Sequence, residues 1–180
     1  MEKIDPDQRI NFTQLKIRPV KKEDLQALEW DGEYKKYRRM YADIFYSTLV
    51  DKTLMWVIET EQGEIIGQAF VMLKSGESDA ADGEKRAYFF GFRIRDAWRN
   101  RGIGSYLMRF VEGDLSRRGF HTITLNVAKD NVDALRLYQR LGYKIVGSHA
   151  GKWSYIDDQG VIQHVNEPSW RMIRRIVDKV

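Results

Sequence analysis

The feature that most narrows the folds open to this chain is the run from Ala87 to Ala128. An aromatic and apolar strand, Ala87–Arg95, gives way to two glycines, Gly102 and Gly104, and then to helical spacing at Leu107, Phe110, Val111 and Leu115. Arg117-Arg118-Gly119 supplies the basic last turn and the glycine that end a helix. A β-branched strand, His121–Ala128, follows, with Ile123, Leu125 and Val127 alternating with polar neighbours. Strand, helix and strand in that order predict a parallel crossover and therefore an α/β sheet.

The flanking segments extend that sheet. Gln14–Val20 reads as a strand, and Lys22-Glu23-Asp24 offers acidic residues at a helix start, followed by Leu25 and Leu28 at helical spacing. Tyr34, Tyr37, Tyr41, Ile44, Phe45 and Leu49 recur at three- and four-residue intervals, which predicts an amphipathic helix from Glu33 to Val50. Leu54–Thr60 and Ile65–Leu73 read as a hairpin turning at Glu61-Gln62-Gly63-Glu64. Lys74–Arg86 is polar and rich in Gly, Ser and Asp, a long loop and the segment expected to move most. Asn131–Leu141 is a short helix closed by Gly142, and Tyr143–Gly147 is a strand. Trp153–Val177 holds a hairpin around Asp157-Asp158-Gln159-Gly160 and a last strand near Ser169–Ile176. Residues 1–13 read as a loose arm ahead of a single domain spanning 14–177.

Charge is concentrated rather than spread. The chain carries 30 Lys and Arg against 26 Asp and Glu, a net charge of +4. The window Arg93–Arg109 holds five arginines (93, 95, 99, 101, 109) and one acid, Asp96, so the entire excess lies there. Such a focus suits a compact polyanion: a phosphorylated small molecule or a nucleic-acid backbone. The absence of cysteine excludes a disulfide scaffold, a thiol nucleophile and a thiolate metal site. His121, His149 and His164 are too scattered in the sequence for a metal site, and none is expected. The N-terminus is charged where a signal peptide needs an apolar run, and no stretch approaches the ~18 apolar residues of a membrane span, so a cytoplasmic chain is expected.

The chemistry lies in the turn. Glycine permits positive φ and close approach to the backbone. The unpaired amides of a helix N-terminus, with the helix dipole behind them, bind phosphate. A nucleotide-hydrolase loop needs Lys-Ser/Thr after its last glycine, whereas Gly104 is followed by Ser105-Tyr106. The dinucleotide pattern Gly-x-Gly-x-x-Gly is also missing. What stands here is Arg-x-x-Gly-x-Gly, carried by Arg99, Gly102 and Gly104.

With these residues the sequence resembles the GNAT superfamily of N-acetyltransferases, whose members seat the pyrophosphate of acetyl-coenzyme A on this turn. Ile17-Arg18-Pro19-Val20 followed by Asp24 looks like the family's first strand and helix start, and Ile65-Ile66-Gly67 like its third strand. Asn131, Ala134, Leu137-Tyr138, Leu141, Gly142 and Tyr143 match its Asn-x-x-Ala-x-x-Leu-Tyr-x-x-x-Gly-Phe segment, with Tyr143 in place of the usual Phe. Met172-Ile173-Arg174-Arg175-Ile176 looks like its last strand. The resemblance implies a mixed, mostly antiparallel sheet of six or seven strands with about four flanking helices. It also implies a splay between the two parallel central strands.

Into that splay the resemblance places the pantetheine arm, bonded by main-chain groups near Phe92 and Ile94, with Arg99, Asn100, Arg101, Gly102, Ile103, Gly104 and Ser105 around the pyrophosphate. Asn131 would meet the cofactor at its helix start. Arg93, Arg95 and Arg101 are candidates for the ribose phosphate. Tyr138 is implied as the acid that protonates the departing sulfur; the alternative is a ring packed on Leu135 or Leu141. Relatives often carry a carboxylate on the strand equivalent to Ala87–Arg95, and this chain has none there, leaving Glu29, Glu59, Glu84 and His149 as candidate bases. The expected partners are acetyl-coenzyme A and an unidentified amine acceptor. A homodimer is left open, and neither a nucleic-acid nor a membrane partner is expected. Tyr34, Tyr37, Tyr41 and Phe45 either wall the acceptor site, with cation–π reach to an ammonium, or simply pack on the sheet. A non-catalytic acyl-coenzyme A sensor and a nucleic-acid-binding domain are the rival readings.

Overall fold

The computed structural model describes residues 10–176. Its strands are β1 (Lys16–Pro19), β2 (Thr53–Glu59), β3 (Ile65–Met72), β4 (Arg86–Ile94), β5 (Thr122–Ala128), β6 (Lys144–His149), β7 (Lys152–Ile156), β8 (Ile162–Asn166) and β9 (Ser169–Arg175), and its helices are α1 (Arg38–Thr48), α2 (Ile103–Arg117) and α3 (Val132–Arg140). Seven strands form one sheet in the order β1-β2-β3-β4-β5-β9-β6, while β7 and β8 form a separate ribbon. Only the β4–β5 contact is parallel; its neighbours are antiparallel. No described helix is long and apolar enough to cross a membrane.

β2 and β3 are buried almost throughout because both faces of the sheet are covered. On one face Tyr41 of α1, Leu28 and Val20 close over Met55, Val57, Ile65 and Phe70. On the other, Ile103, Leu107, Val111 and Leu115 of α2 join Tyr138, Leu141 and Tyr143 over Ile58, Ala69, Phe89 and Leu125. The apolar spacing read from the sequence supplies these two faces.

Three local expectations resolve differently. The helix expected from Lys22 is two single 3-10 turns, Lys22–Asp24 and Ala27–Glu29. Asp24 folds back to accept from the Lys21 amide and the Arg18 guanidinium, and Trp30 ends the second turn in the left-handed region, φ 45°. The polar 74–86 loop is tied down: Ala80 and Ala81 are buried, Thr124 Oγ1 donates to the Ala80 carbonyl at 2.7 Å, and Asp82 Oδ1 accepts from the amides of Glu84, Lys85 and Arg86. Of the segment 1–13 read as an arm, residues 1–9 lie outside the described residues. Phe12 begins a 3-10 turn and packs its ring 4.9 Å from that of Tyr106 on α2.

Two polar clusters make stability predictions. Arg18 bonds both Asp24 and Glu59, joining β1, β2 and the first turn. Burial alone would push the Asp24 carboxyl up, but the bonds from Arg18 and the Lys21 amide outweigh it and hold the group below its ordinary range. A depressed folded value contributes stability above the unfolded pKa of ~3.9 and loses it as pH falls through the folded one. The stability difference between wild type and Asp24→Asn should therefore shrink as urea midpoints are taken from pH 6 down to pH 3. A difference that grows on acidification would contradict the assignment.

The second cluster explains the tyrosine that replaces the usual phenylalanine. Tyr143 Oη donates to Glu112 Oε1 at 3.1 Å, and Arg174 Nη1 donates to both Glu112 oxygens at 2.7 and 2.8 Å, joining α2, the end of α3 and β9. Glu112→Leu should cost on the order of 3 kcal/mol, since it strands a buried hydroxyl and a guanidinium. Tyr143→Phe, which removes one hydroxyl, should cost about 1 kcal/mol. Urea denaturation measures both, and equal losses would refute the network.

Candidate active site

β4 and β5 pair from Arg86↔Thr122 to Phe89↔Leu125 and then separate. Beyond that point β4 stays with β3 and β5 with β9, so a gap opens between neighbouring strands. A bulge at Gly91 shapes its β4 lip. The register with β3 slips between Phe70↔Phe90 and Gln68↔Arg93, and Gly91 takes φ 60°. The Gln68 side chain fills the irregularity, its Nε2 donating to the Gly91 carbonyl at 3.0 Å. A Cβ on residue 91 would strike the Phe70 ring. A glycine inside an aromatic strand is the sequence signal for such a bulge.

Past the bulge the Arg95 amide donates to the Ile66 carbonyl on β3. By antiparallel alternation Arg93 and Arg95 direct their main-chain groups to β3, while Phe92 and Ile94 direct theirs into the gap. The Ile94 carbonyl is met there by Arg99 Nε at 3.0 Å, and Arg99 Nη1 pairs with Asp96 at 2.9 Å. Arg99 thus braces the turn that carries it.

The turn is built as the sequence predicts. Asn100 (φ 59°) and Gly102 (φ 81°) adopt left-handed conformations, and Gly102 is the N-cap of α2. Ile103, Gly104 and Ser105 form the helix's first turn, whose amides have no helical partner. A Cβ on Gly104 would stand 3.2 Å from Phe92 Cζ and 3.4 Å from a methyl of Leu137, so the turn, β4 and α3 meet at this glycine. Phe92 links the turn to Tyr138, the two rings lying 6.3 Å apart.

Tyr138 is buried, with its ring against Phe92 and Tyr143 rather than stacked on Leu135 or Leu141 alone. Its hydroxyl makes no hydrogen bond among the described residues. Burial, helped by nearby Tyr88, raises it above the ordinary tyrosine range. Asn131 caps α3, its Oδ1 accepting from the Ala134 amide at 3.2 Å, which leaves the side-chain NH2 to meet a ligand.

Other expected residues lie elsewhere. Arg93 and Arg95, candidates for the ribose phosphate, leave the opposite face of β4: Arg93 goes to Tyr34 and Tyr41, and Arg95 to the Ile65 carbonyl and Asp31. Alternation along a strand requires this once Phe92 and Ile94 face α2. Among the candidate bases, Glu59 pairs with Arg18, Glu29 with Arg38, and His149 Nδ1 accepts from the Gly151 amide. Glu84 is exposed in the loop before β4. No cluster of three or more metal-ligating side chains occurs among the described residues. The aromatic stripe packs on the sheet, the Tyr41 ring edge-on to Phe70 of β3, and it meets the β4 lip at Arg93, which Tyr34 and Tyr41 contact. Tyr37 packs on Tyr155 and Trp153 of the β7–β8 ribbon at 4.9 and 6.4 Å between centroids.

The sequence profile of the acetyltransferase (GNAT) family matches residues 22–143. Among curated proteins, the uncharacterized N-acetyltransferase YdgE of Bacillus subtilis is 26% identical over 88 residues, 49% of this chain and 53% of that protein. Mycothiol acetyltransferase of Corynebacterium diphtheriae is 29% identical over 99 residues, 55% of this chain and 31% of that protein. The chain thus spans about half of the first relative and less than a third of the second. The fold is also that of the ribosomal-protein-S18-alanine N-acetyltransferase from Escherichia coli (TM-score 0.65, 18% identity, 92% of this chain and 98% of that one). It is likewise that of spermidine N-acetyltransferase from Vibrio cholerae, solved with CoA and spermine (TM-score 0.66, 18% identity, 91% and 96%).

Proposed function

The chain belongs to the acetyltransferase (GNAT) family, and on that premise we propose that it transfers an acetyl group from acetyl-coenzyme A to a primary amine by direct attack in a ternary complex. The observation that carries this reading is the gap that opens where β4–β5 pairing ends. Main-chain groups of Phe92 and Ile94 line one lip, the α2 amides stand at its end, and buried Tyr138 packs against Phe92 there.

The residues present fit the cosubstrate. Ile103, Gly104 and Ser105 offer amides to a pyrophosphate, with the α2 dipole behind them. Gly104 leaves the space a side chain would fill. Phe92 and Ile94 hydrogen-bond the pantetheine arm as an added strand would, and Asn131 meets it from the start of α3. Arg101 is the arginine of the turn proposed for the ribose phosphate.

In the reaction the neutral amine attacks the thioester carbonyl, the C–N bond forms and the C–S bond breaks. Tyr138 gives its proton to the departing sulfur, whose thiol has a pKa near 8.5. Its raised pKa keeps the hydroxyl protonated at neutral pH, as an acid must be. The amine's surplus proton leaves through water, since Glu29 and Glu59 already serve arginines and β4 supplies no carboxylate. That route favours an acceptor with a substantially neutral amine, such as an α-amine of pKa ~7.7–8.0 over a lysine of ~10.4. A cytoplasmic location belongs to the same proposal.

Arg93 and Arg95 leave the opposite face of β4 and are held by internal partners, so the arginine window does not form one basic patch, which weakens the nucleic-acid reading. A thermal shift with acetyl-coenzyme A, set beside one with oligonucleotides, tests cosubstrate binding. Thiol release over an amine panel then separates an enzyme from a non-catalytic sensor.

A further inference from the structure

Arg93 sits one residue beyond Phe92, on the face of β4 away from α2. Its guanidinium lies 3.9 Å over the Tyr34 ring and 5.3 Å from that of Tyr37, and Nη1 donates to Tyr41 Oη. This support is rigid: Tyr41 is 1% exposed, and Gln68, fully buried, lies against the Tyr41 hydroxyl. Arg18, Arg95, Arg99, Arg171 and Arg174 each pair with a carboxylate. Arg93 has none within ion-pair distance among the described residues, and its remaining N–H groups find no acceptor there. A planar fork held by stacking and one hydrogen bond, with its other donors unused, is built to take an oxyanion in bidentate fashion.

The aromatic stripe therefore already holds a cation. An acceptor bringing a second positive group to Tyr34 and Tyr37 would meet like charge, whereas one bringing a carboxylate or phosphate would meet its complement. Resting on the acetyltransferase reading, we infer that the acceptor is an amine that also carries an oxyanion group, and that Arg93 binds this group.

The test pairs amines that differ in that group. Thiol release from acetyl-coenzyme A is measured with β-alanine and γ-aminobutyrate against propylamine, with O-phosphoethanolamine against ethanolamine, and with spermidine. The inference expects kcat/KM at least ten-fold higher for the carboxylate or phosphate member of a pair, and the pairs show which oxyanion is preferred. Arg93→Gln should collapse that ratio toward one through KM rather than kcat, with Arg93→Lys in between. A thermal shift with coenzyme A shows that both variants are folded. Equal or better turnover of propylamine or spermidine by wild type, or a uniform loss across all amines in Arg93→Gln, overturns the inference and leaves acetyl transfer standing. If neither these amines nor an α-amine such as glycinamide releases thiol, the catalytic reading fails separately. Calorimetry of N-acetyl-β-alanine and N-acetyl-O-phosphoethanolamine against N-propylacetamide on the coenzyme A-saturated protein then decides. Heat from an oxyanion that Arg93→Gln abolishes upholds the assignment, and heat absent from both or unchanged by the variant refutes it.

Discussion

Tyr138→Phe is expected to lower kcat by ~10²–10⁴ while the dissociation constant for acetyl-coenzyme A stays within a few-fold of wild type. The substitution removes one oxygen and little else. The ring contacts with Phe92 and Tyr143 at 6.3 and 5.9 Å belong to the ring, which phenylalanine keeps. The hydroxyl has no hydrogen-bond partner among the described residues, so its loss strands no buried group, and stability should move little. What disappears is a protonated acid in a buried setting, held in that state by burial. The leaving thiolate must then take its proton from water. Steady-state thiol release and calorimetric titration measure the two quantities. A variant with wild-type kcat would remove Tyr138 from the chemistry and leave it a core ring. In a non-catalytic sensor neither protein would release thiol faster than the uncatalysed reaction, although both would bind.

The same residues show what a sequence makes visible. The turn was legible because its determinants are local: Gly102 must take positive φ, and the apolar spacing of Leu107, Val111 and Leu115 sets the helix after it. Arg93 and Arg95 stand apart from the turn, which charge counted along the chain does not show because it ignores the pleat. Once Phe92 and Ile94 face α2, their neighbours face the other way, and a five-arginine window divides between two faces of the sheet. The anchoring of the 74–86 loop was hidden by its composition. Ala80, Ala81 and the Asp82 carboxylate hold a segment whose other residues are mostly polar and exposed. The reason for tyrosine at 143 was out of reach, because its partners Glu112 and Arg174 come from separate elements brought together only by the finished sheet. Local conformational demands are written where they act, whereas pairings across the sheet depend on topology.

Gly104→Glu is expected to raise the dissociation constant for acetyl-coenzyme A at least ~100-fold, about 2.7 kcal/mol, and to abolish the thermal shift it produces. The fold should survive. Residue 104 lies in the first turn of α2, where glutamate is a better helix former than glycine and its charge suits the helix dipole. The contacts a Cβ would make, 3.2 Å to the edge of the Phe92 ring and 3.4 Å to a Leu137 methyl, ask those side chains to shift by a few tenths of an ångström. The same carboxylate occupies the amides proposed for the pyrophosphate and sets a negative charge against it, so the property that stabilises the helix defeats the ligand. Gly104→Ala separates the two effects: it brings the steric pressure without the charge and should weaken binding only a few-fold. If the two variants bind alike, crowding at Phe92 governs the site. If Gly104→Glu binds as wild type does, the α2 amides do not hold the pyrophosphate. A domain that used the arginines to grip a nucleic-acid backbone would be indifferent to Gly104→Ala and would instead lose affinity steeply with salt. The pair of substitutions therefore tests whether affinity arises from oriented main-chain dipoles or from side-chain charge.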